Sequence, residues 1–358
     1  MWLNVRMQRG RTDVLPCPEA GALARDVVAR GVAPHAAVGY FGVTGPARVG
    51  GHDEAIFDLA SLTKPMTAVA FVKAGLDRRA PLVSYLPELH DTPSAEVPLE
   101  LFLAHRAGVP AHISLFHPLL EGRAVELGDA LRTAACSRPA GASPVEEHPP
   151  VYSDVGYLLA GAALARATGA RDAGEAIERL VVAPLGLEGS LGTARRLREV
   201  TDFDARVVPT EVVPFRGGEV RGAVHDENAW AVSGDGGSGH AGMFGTVSAV
   251  LTFARHTLRL RDEAPWLFFP RKSGSLLAGF DGKSPEGSSA GTVLGPSTYG
   301  HLGFTGTSFW VDPDTQVGVA LLTNRVSPTR ENTAIRRARP EVHDALAKLA
   351  MGAPARDR

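Results

Sequence analysis

The chain has 358 residues, 44% hydrophobic and 21% charged, with a formal net charge of −2. Such a composition fits a globular protein with an ample core, in one large or two intertwined domains, and excludes extended disorder away from the ends. The basic residues form no block, which excludes a nucleic-acid surface and a polybasic membrane patch and leaves small-molecule or peptide chemistry.

The first stretch, "MWLNVRMQRGRTDVLPCPEAG", has no apolar core of signal-peptide length, and Cys17 follows Pro16 without a lipoprotein's hydrophobic segment. No later run of about 18 apolar residues spans a bilayer. The chain as given is expected in the cytoplasm, or in the periplasm if its true start lies upstream. Cys17 and Cys136 are the two cysteines and lack Cys-x-x-Cys spacing, so at most one bridge can form and both thiols are expected to be structural or incidental.

Ala20 to Arg30 has amphipathic spacing and ends at Gly31, which predicts a helix; His35 to Val43 predicts a strand between Gly and Pro. "EAIFDLA" predicts another strand. Leu62 to Ala74 has helical spacing with Gly75 as its stop, placing Ser61 at the helix N-terminus and Pro65 near the first turn, where proline is tolerated. From about Pro81 to Gly239 the pattern is helical segments broken by Pro and Gly loops, with few strands. A helix near Val247 to Leu260, a loose loop from Lys272 to Ser297, a hairpin in "TSFWVDPDTQVGVALLTN" turning at Asp312 to Asp314, and a last helix from Thr333 to Ala350 complete the chain. Strands at both ends with helices between predict an α+β fold: a sheet domain from residues 1–80 and 241–358, and a helical domain from 81–240 inserted into it.

Of the 37 cationic side chains only five are lysine, and one of these, Lys64, stands three residues after Ser61 in "FDLASLTKPMT". Arginine does not release its proton in a protein, whereas a desolvated lysine does, so amine-base chemistry requires lysine. One helical turn separates the two residues and both face the same way. A capping serine followed by a surface lysine would give the same letters.

Two further segments decide between these readings. "SLTK" (Ser61 to Lys64), "YSD" (Tyr152 to Asp154) and "HLG" (His301 to Gly303) occur in the order and approximate spacing of three signatures of serine penicillin-recognising enzymes. With the flanking stretches "LFLAHRAGVPAH", "VYSDVGYLLAGAALARATG", "VHDENAWAVSGDGGSGHAGMFGT" and "GHLGFTGTSFWVDPDTQVGVALLTNR", the chain resembles the serine β-lactamase, D,D-peptidase and related esterase superfamily, in its class-C-like branch, from about Ile56 to Arg325. The resemblance implies a β-lactamase/transpeptidase-like fold, mainly antiparallel sheet flanked by helices, with an active site between the two domains.

The resemblance further implies that Ser61 is the acylated nucleophile, Lys64 the amine that takes its proton, and Tyr152 a phenol that relays protons. The backbone N–H groups of Ser61 and Phe304 would form the oxyanion hole, Phe304 standing at the start of an edge strand, and Asp154, His301 and Gly303 would face the substrate. A serine hydroxyl is a poor nucleophile without a base, and a helix N-terminus adds partial positive charge where an oxyanion forms. For Lys64 to act near neutrality its pKa must fall from about 10.4 to about 7, roughly 4 to 5 kcal/mol of disfavoured charge. No cofactor and no metal is called for.

Two positions depart from the pattern of many relatives. His301 stands where a lysine is common, replacing a fixed cation by a group titrating near 6.5 and weakening recognition of anionic substrates. Asp154 stands where an asparagine is common; a carboxylate beside Lys64 would raise its pKa, so Asp154 is expected to turn away, to be protonated, or to pair with another cation such as His301. It could also simply cap the helix that follows.

"GDGGSG" (Gly234 to Gly239) satisfies G-x-G-x-x-G, but no strand precedes it and no Gly-Lys-Ser/Thr follows, so a flexible loop rimming the site is expected rather than a phosphate cradle. His225, Asp226 and His240 lack metal-ligand spacing; the first two are expected to brace that loop. His105 is expected to be a hydrogen-bonded core histidine. The function expected is a serine hydrolase working through an acyl-enzyme on a small ester or amide, neutral His301 favouring uncharged acyl groups. The alternatives are a β-lactamase or D-alanyl-D-alanine carboxypeptidase acting on lactams or peptides, and a non-catalytic binding protein on the same fold.

Overall fold

The computed structural model describes residues 14–352; residues 1–13, which carry most of the leader reading, lie outside them. The strands in chain order are β1 (Val14–Pro16), β2 (Ala36–Phe41), β3 (Ala47–Gly51), β4 (Phe57–Asp58), β5 (Leu191–Thr193), β6 (Val212–Val213), β7 (Gly218–Glu219), β8 (Met243–Gly245), β9 (Asp281–Gly282), β10 (Tyr299–Leu302), β11 (Ser308–Asp312) and β12 (Val317–Thr323). Seven of them form one sheet in the order β1-β3-β2-β12-β11-β10-β9, antiparallel throughout except for the β1–β3 pair.

The central strands β2 and β12 are buried along their whole length, because helices cover both faces. Alternation along the strands sorts their side chains. Val38, Tyr40, Trp310, Val319 and Leu321 pack with the helices Pro18–Ala29 and Ile335–Gly352. Ala37, Phe41, Phe309, Val311, Ala320 and Leu322 face the helix Val247–Glu263 and the large core that continues into the helices Thr63–Lys73 and Asp154–Thr168. The fold is β-lactamase/transpeptidase-like, a mixed sheet flanked by helices. Among the described residues no helix is long and apolar enough to cross a membrane.

Three local expectations are corrected. "EAIFDLA" supplies only the two-residue strand β4, because the chain turns at Ala60, whose φ is +47°. Ser61 follows in a 3-10 turn, Ala60–Leu62, that runs straight into the helix Thr63–Lys73, so it stands at that helix's N-terminus as expected. The hairpin turns over residues 313–316, one step later than expected, where the Asp312 carboxylate accepts the Asp314 N–H at 3.0 Å and Gln316 takes φ +54°. The "GDGGSG" loop is not a flexible rim: Gly236 to His240 are buried between helices. A Cβ on Gly239 would lie 2.0 Å from the Tyr157 carbonyl oxygen, and one on Gly161 would lie 2.5 Å from Gly239 Cα, so loop and helix meet backbone to backbone.

Candidate active site

The Ala60–Leu62 turn presents Ser61 at the edge of a cavity of 520 Å3 that Tyr152, Asp154, His301, Gly303 and Phe304 also line. Lys64, one turn into the following helix, is completely buried. Its ammonium donates to Ser61 Oγ at 2.8 Å, to Asp154 Oδ1 at 2.6 Å and to the His240 carbonyl at 3.4 Å. Three N–H bonds thus meet three acceptors, and the amine is fixed along every donor direction.

The structure brings together Ser61, Lys64, Tyr152 and Asp154, which the sequence holds up to 93 positions apart. The Tyr152 ring centre lies 4.7 Å from Lys64 Nζ. His105 stacks on the ring at 4.8 Å, and its Nδ1 accepts the Ser153 N–H at 2.9 Å. His105 is the hydrogen-bonded core histidine expected, and it also sets the plane of the tyrosine. Although the residue as a whole is 38% exposed, desolvation of its phenol raises the pKa against the opposing pull of Lys64, so Tyr152 is protonated at neutral pH.

Asp154 and Lys64 overturn two expectations. Asp154 is neither turned away nor paired with His301; it forms an ion pair with Lys64. Nor is it the helix cap, because Ser153 Oγ accepts the Gly156 N–H at 3.0 Å. Burial alone would depress the lysine, but Asp154 and Tyr152 outweigh it and raise its pKa above the ordinary value. At rest Lys64 is an ammonium, not the depressed amine expected.

His301 also differs from expectation. It is buried, with Nδ1 donating to the Leu302 carbonyl at 2.8 Å. Burial first and the Lys64 charge second push its pKa down to about 3. It does not titrate near 6.5 and stays neutral across the physiological range.

Phe304 lies in the 303–307 turn between β10 and β11 rather than at the start of a strand. Its ring stacks on His225 at 5.8 Å, and Arg325 Nε donates to its carbonyl at 2.8 Å. Gly303 is required by close approach: a Cβ there would stand 2.0 Å from Thr307 Oγ1 and 2.7 Å from the Leu59 carbonyl.

Two further histidines near the site hold acidic partners. His225 Nε2 bonds Glu211 at 3.0 Å, and His240 bonds Asp226 through Nε2 at 2.9 Å and Ser238 through Nδ1 at 2.9 Å. Asp226 braces the loop as expected; His225 does not, and holds Glu211 instead. Sequence reasoning missed the His240 carbonyl, which carries no side-chain signal. It also missed a cationic wall: Arg325, Arg336 and Arg339 line the cavity, and among the described residues none of the three forms an ion pair. Arg339 is buried, donates to the Gly303 and Thr307 carbonyls at 2.6 and 2.9 Å, and keeps a buried Nε without a partner. Burial pushes its pKa down to about 9. The run "RENTAIRRARP" was the available signal, submerged in a chain where arginine is common everywhere.

A sequence model of the Beta-lactamase family matches residues 18–344. The chain belongs to the Beta-lactamase family. Among curated relatives of this family member, an N-acetylmuramyl-L-alanine amidase from Bacillus subtilis (strain 168) is 29% identical over 304 residues, covering 75% of this chain and 68% of the relative. A putative D-alanyl-D-alanine carboxypeptidase from Salmonella agona (strain SL483) is 27% identical over 307 residues, covering 75% and 69%. Among solved structures, EstCE1, described as a hydrolase with promiscuous acyltransferase activity, aligns with a TM-score of 0.68 at 19% identity, covering 92% of this chain and 98% of its own. A class C β-lactamase from Rhodobacter sphaeroides aligns with a TM-score of 0.65 at 17% identity, covering 93% and 99%. At those identities the solved structures share the Beta-lactamase fold with this chain.

Proposed function

We propose that this Beta-lactamase family member is a serine hydrolase that forms an acyl-enzyme on Ser61. The observation that carries the reading is Lys64 Nζ, fully buried and 2.8 Å from Ser61 Oγ. When Lys64 loses its proton the amine takes the hydroxyl proton of Ser61, and Oγ attacks the substrate carbonyl. The N–H groups of Ser61 and Phe304 receive the oxyanion. As the tetrahedral species collapses, the proton on Lys64 passes through the Tyr152 phenol to the departing alcohol or amine. Water then attacks the ester on Ser61, gives its proton back along the same relay, and releases the acid and the serine hydroxyl. The site lies between the proposed sheet domain, residues 1–80 and 241–358, and the proposed helical domain, 81–240.

The substrate is a small ester, amide or lactam. His301 provides no cation, but Arg336 and Arg339 do, which favours the reading with an anionic substrate over one restricted to uncharged acyl groups. Two curated relatives are named for amide or peptide cleavage, one of them a carboxypeptidase, whose substrate ends in a carboxylate. The deciding experiment measures intact mass after exposure to a fluorophosphonate, p-nitrophenyl esters, β-lactams and D-amino-acid peptides. An adduct mapped to Ser61 supports the reading. Absence of any adduct, with the protein folded, replaces it by a binding protein on the same fold.

A further inference from the structure

The turn that carries Ser61 and the turn that carries Phe304 belong to different parts of the chain, and no strand pairing joins β4 to β10 or β11. Two buried threonines join them instead. Thr305 Oγ1 donates to the Asp58 carbonyl at 2.7 Å, and Thr307 Oγ1 donates to the Leu59 carbonyl at 3.0 Å. Both side chains are almost wholly inaccessible.

Each turn is also held on its far side. The Asp58 carboxylate accepts the Ala60 N–H at 2.8 Å and the His225 N–H at 2.7 Å, which secures the positive φ of Ala60 directly before the nucleophile. A positive φ is unfavourable for a residue with a Cβ and persists only where its surroundings enforce it. On the other turn the Gly303 N–H donates to the Thr307 carbonyl at 2.7 Å, and Arg339 bridges the carbonyls of the same two residues. Two rigid turns are thereby connected through two hydroxyl groups.

We propose that Thr305 and Thr307 are positioning residues that set the separation of the Ser61 and Phe304 backbone donors. The inference rests on the oxyanion hole assigned above. Neither hydroxyl touches the substrate; each acts through a carbonyl two or three residues before Ser61. An oxyanion hole works because its donors are placed before charge develops, and a shift of about 1 Å in a reacting geometry costs on the order of a hundredfold in rate.

The test compares Thr305→Val, Thr307→Val, the double variant and Thr305→Ser, for turnover of a p-nitrophenyl ester and for inhibition by a phenylboronic acid. The boronate adds to Ser61 as a tetrahedral anion and so demands both donors. Valine matches threonine in shape and removes the hydroxyl. The expected result for the double variant is a kcat lower by about tenfold to a hundredfold and a similar loss of boronate affinity, with KM within about twofold and Thr305→Ser near wild type. Thermal melting confirms folding before each measurement. Retained kcat and boronate affinity in the double variant overturns the proposal, and so does a Thr305→Ser variant as impaired as Thr305→Val. Absence of any Ser61 adduct in the wild type overturns the acyl-enzyme reading instead, so the two failures are distinguishable.

Discussion

Asp154 Oδ1 stands 2.6 Å from Lys64 Nζ, and this pairing keeps the buried amine charged. A raised lysine pKa means that the base form appears only as pH rises past the ordinary working range. The acid limb of kcat/KM is therefore expected on the alkaline side of neutrality. Asp154→Asn removes the anion that stabilises the ammonium while burial still disfavours it, so the limb moves to lower pH by at least about one unit. A pH–rate series on a neutral ester checks this; an unmoved limb would show that Lys64 is not the base.

Ser61→Ala is expected to abolish covalent labelling without lowering the melting temperature, since the side chain is small and only partly buried. Lys64→Met is expected to slow acylation by about 10² to 10⁴-fold, the usual range for removing a general base. Stopped-flow acylation with a chromogenic ester measures both, and near-wild-type acylation in Lys64→Met would reject the assigned role.

His301, with a pKa pushed down to about 3, is expected to show no imidazole titration between pH 5 and 8. Its ¹⁵N ring shifts, followed by NMR and assigned through His301→Gln, should be flat over that window. A sigmoid centred near 6.5 would show that the ring is solvated rather than buried beside Lys64.

Arg336 is exposed, lines the cavity and is free of ion pairs among the described residues. Arg336→Ala is expected to raise KM for a substrate bearing a carboxylate by about tenfold and to leave a neutral ester unchanged, in keeping with about 1.5 kcal/mol for a charge-assisted contact. Equal effects on both substrates would remove the arginine from recognition.

Glu211 receives His225 Nε2 at 3.0 Å and Arg330 Nε at 2.7 Å, and its pKa is lowered to about 2. Burial opposes that shift, and the bonds from His225 and Arg330 outweigh it. A depressed carboxylate stabilises the fold fully above its unfolded-state value and loses that contribution as pH falls toward about 2. Glu211→Gln is expected to cost about 2 to 3 kcal/mol at pH 7. Urea denaturation of the two proteins from pH 7 to 3 should show the gap closing on acidification, and a pH-independent gap would assign the loss to packing.

What the sequence made legible was local or periodic. Helical spacing located Thr63–Lys73 and the last helix, apolar runs on either side of an Asp-Pro-Asp turn signal located β11 and β12, and the three-residue step from Ser61 to Lys64 fixed their shared face. What stayed hidden depended on contacts between distant segments. The charge on Lys64 is set by Asp154, 90 positions away, and the neutrality of His301 by burial that no neighbouring letter reports. "GDGGSG" read as mobile because glycine is permissive, yet Gly236, Gly237 and Gly239 serve close packing.

That packing has a consequence for how the protein can change over time. Gly239 accepts the Thr67 hydroxyl at 2.8 Å on one side and abuts Gly161 on the other, so a strip of bare backbone acts as the shim between the helix bearing Lys64 and the helix opening with Asp154. Adding one methyl group at residue 161 or 239 would wedge those helices apart and loosen the lysine–aspartate contact from a distance. Substitutions far from the serine could thus retune the pH at which this protein works while every reacting group keeps its identity.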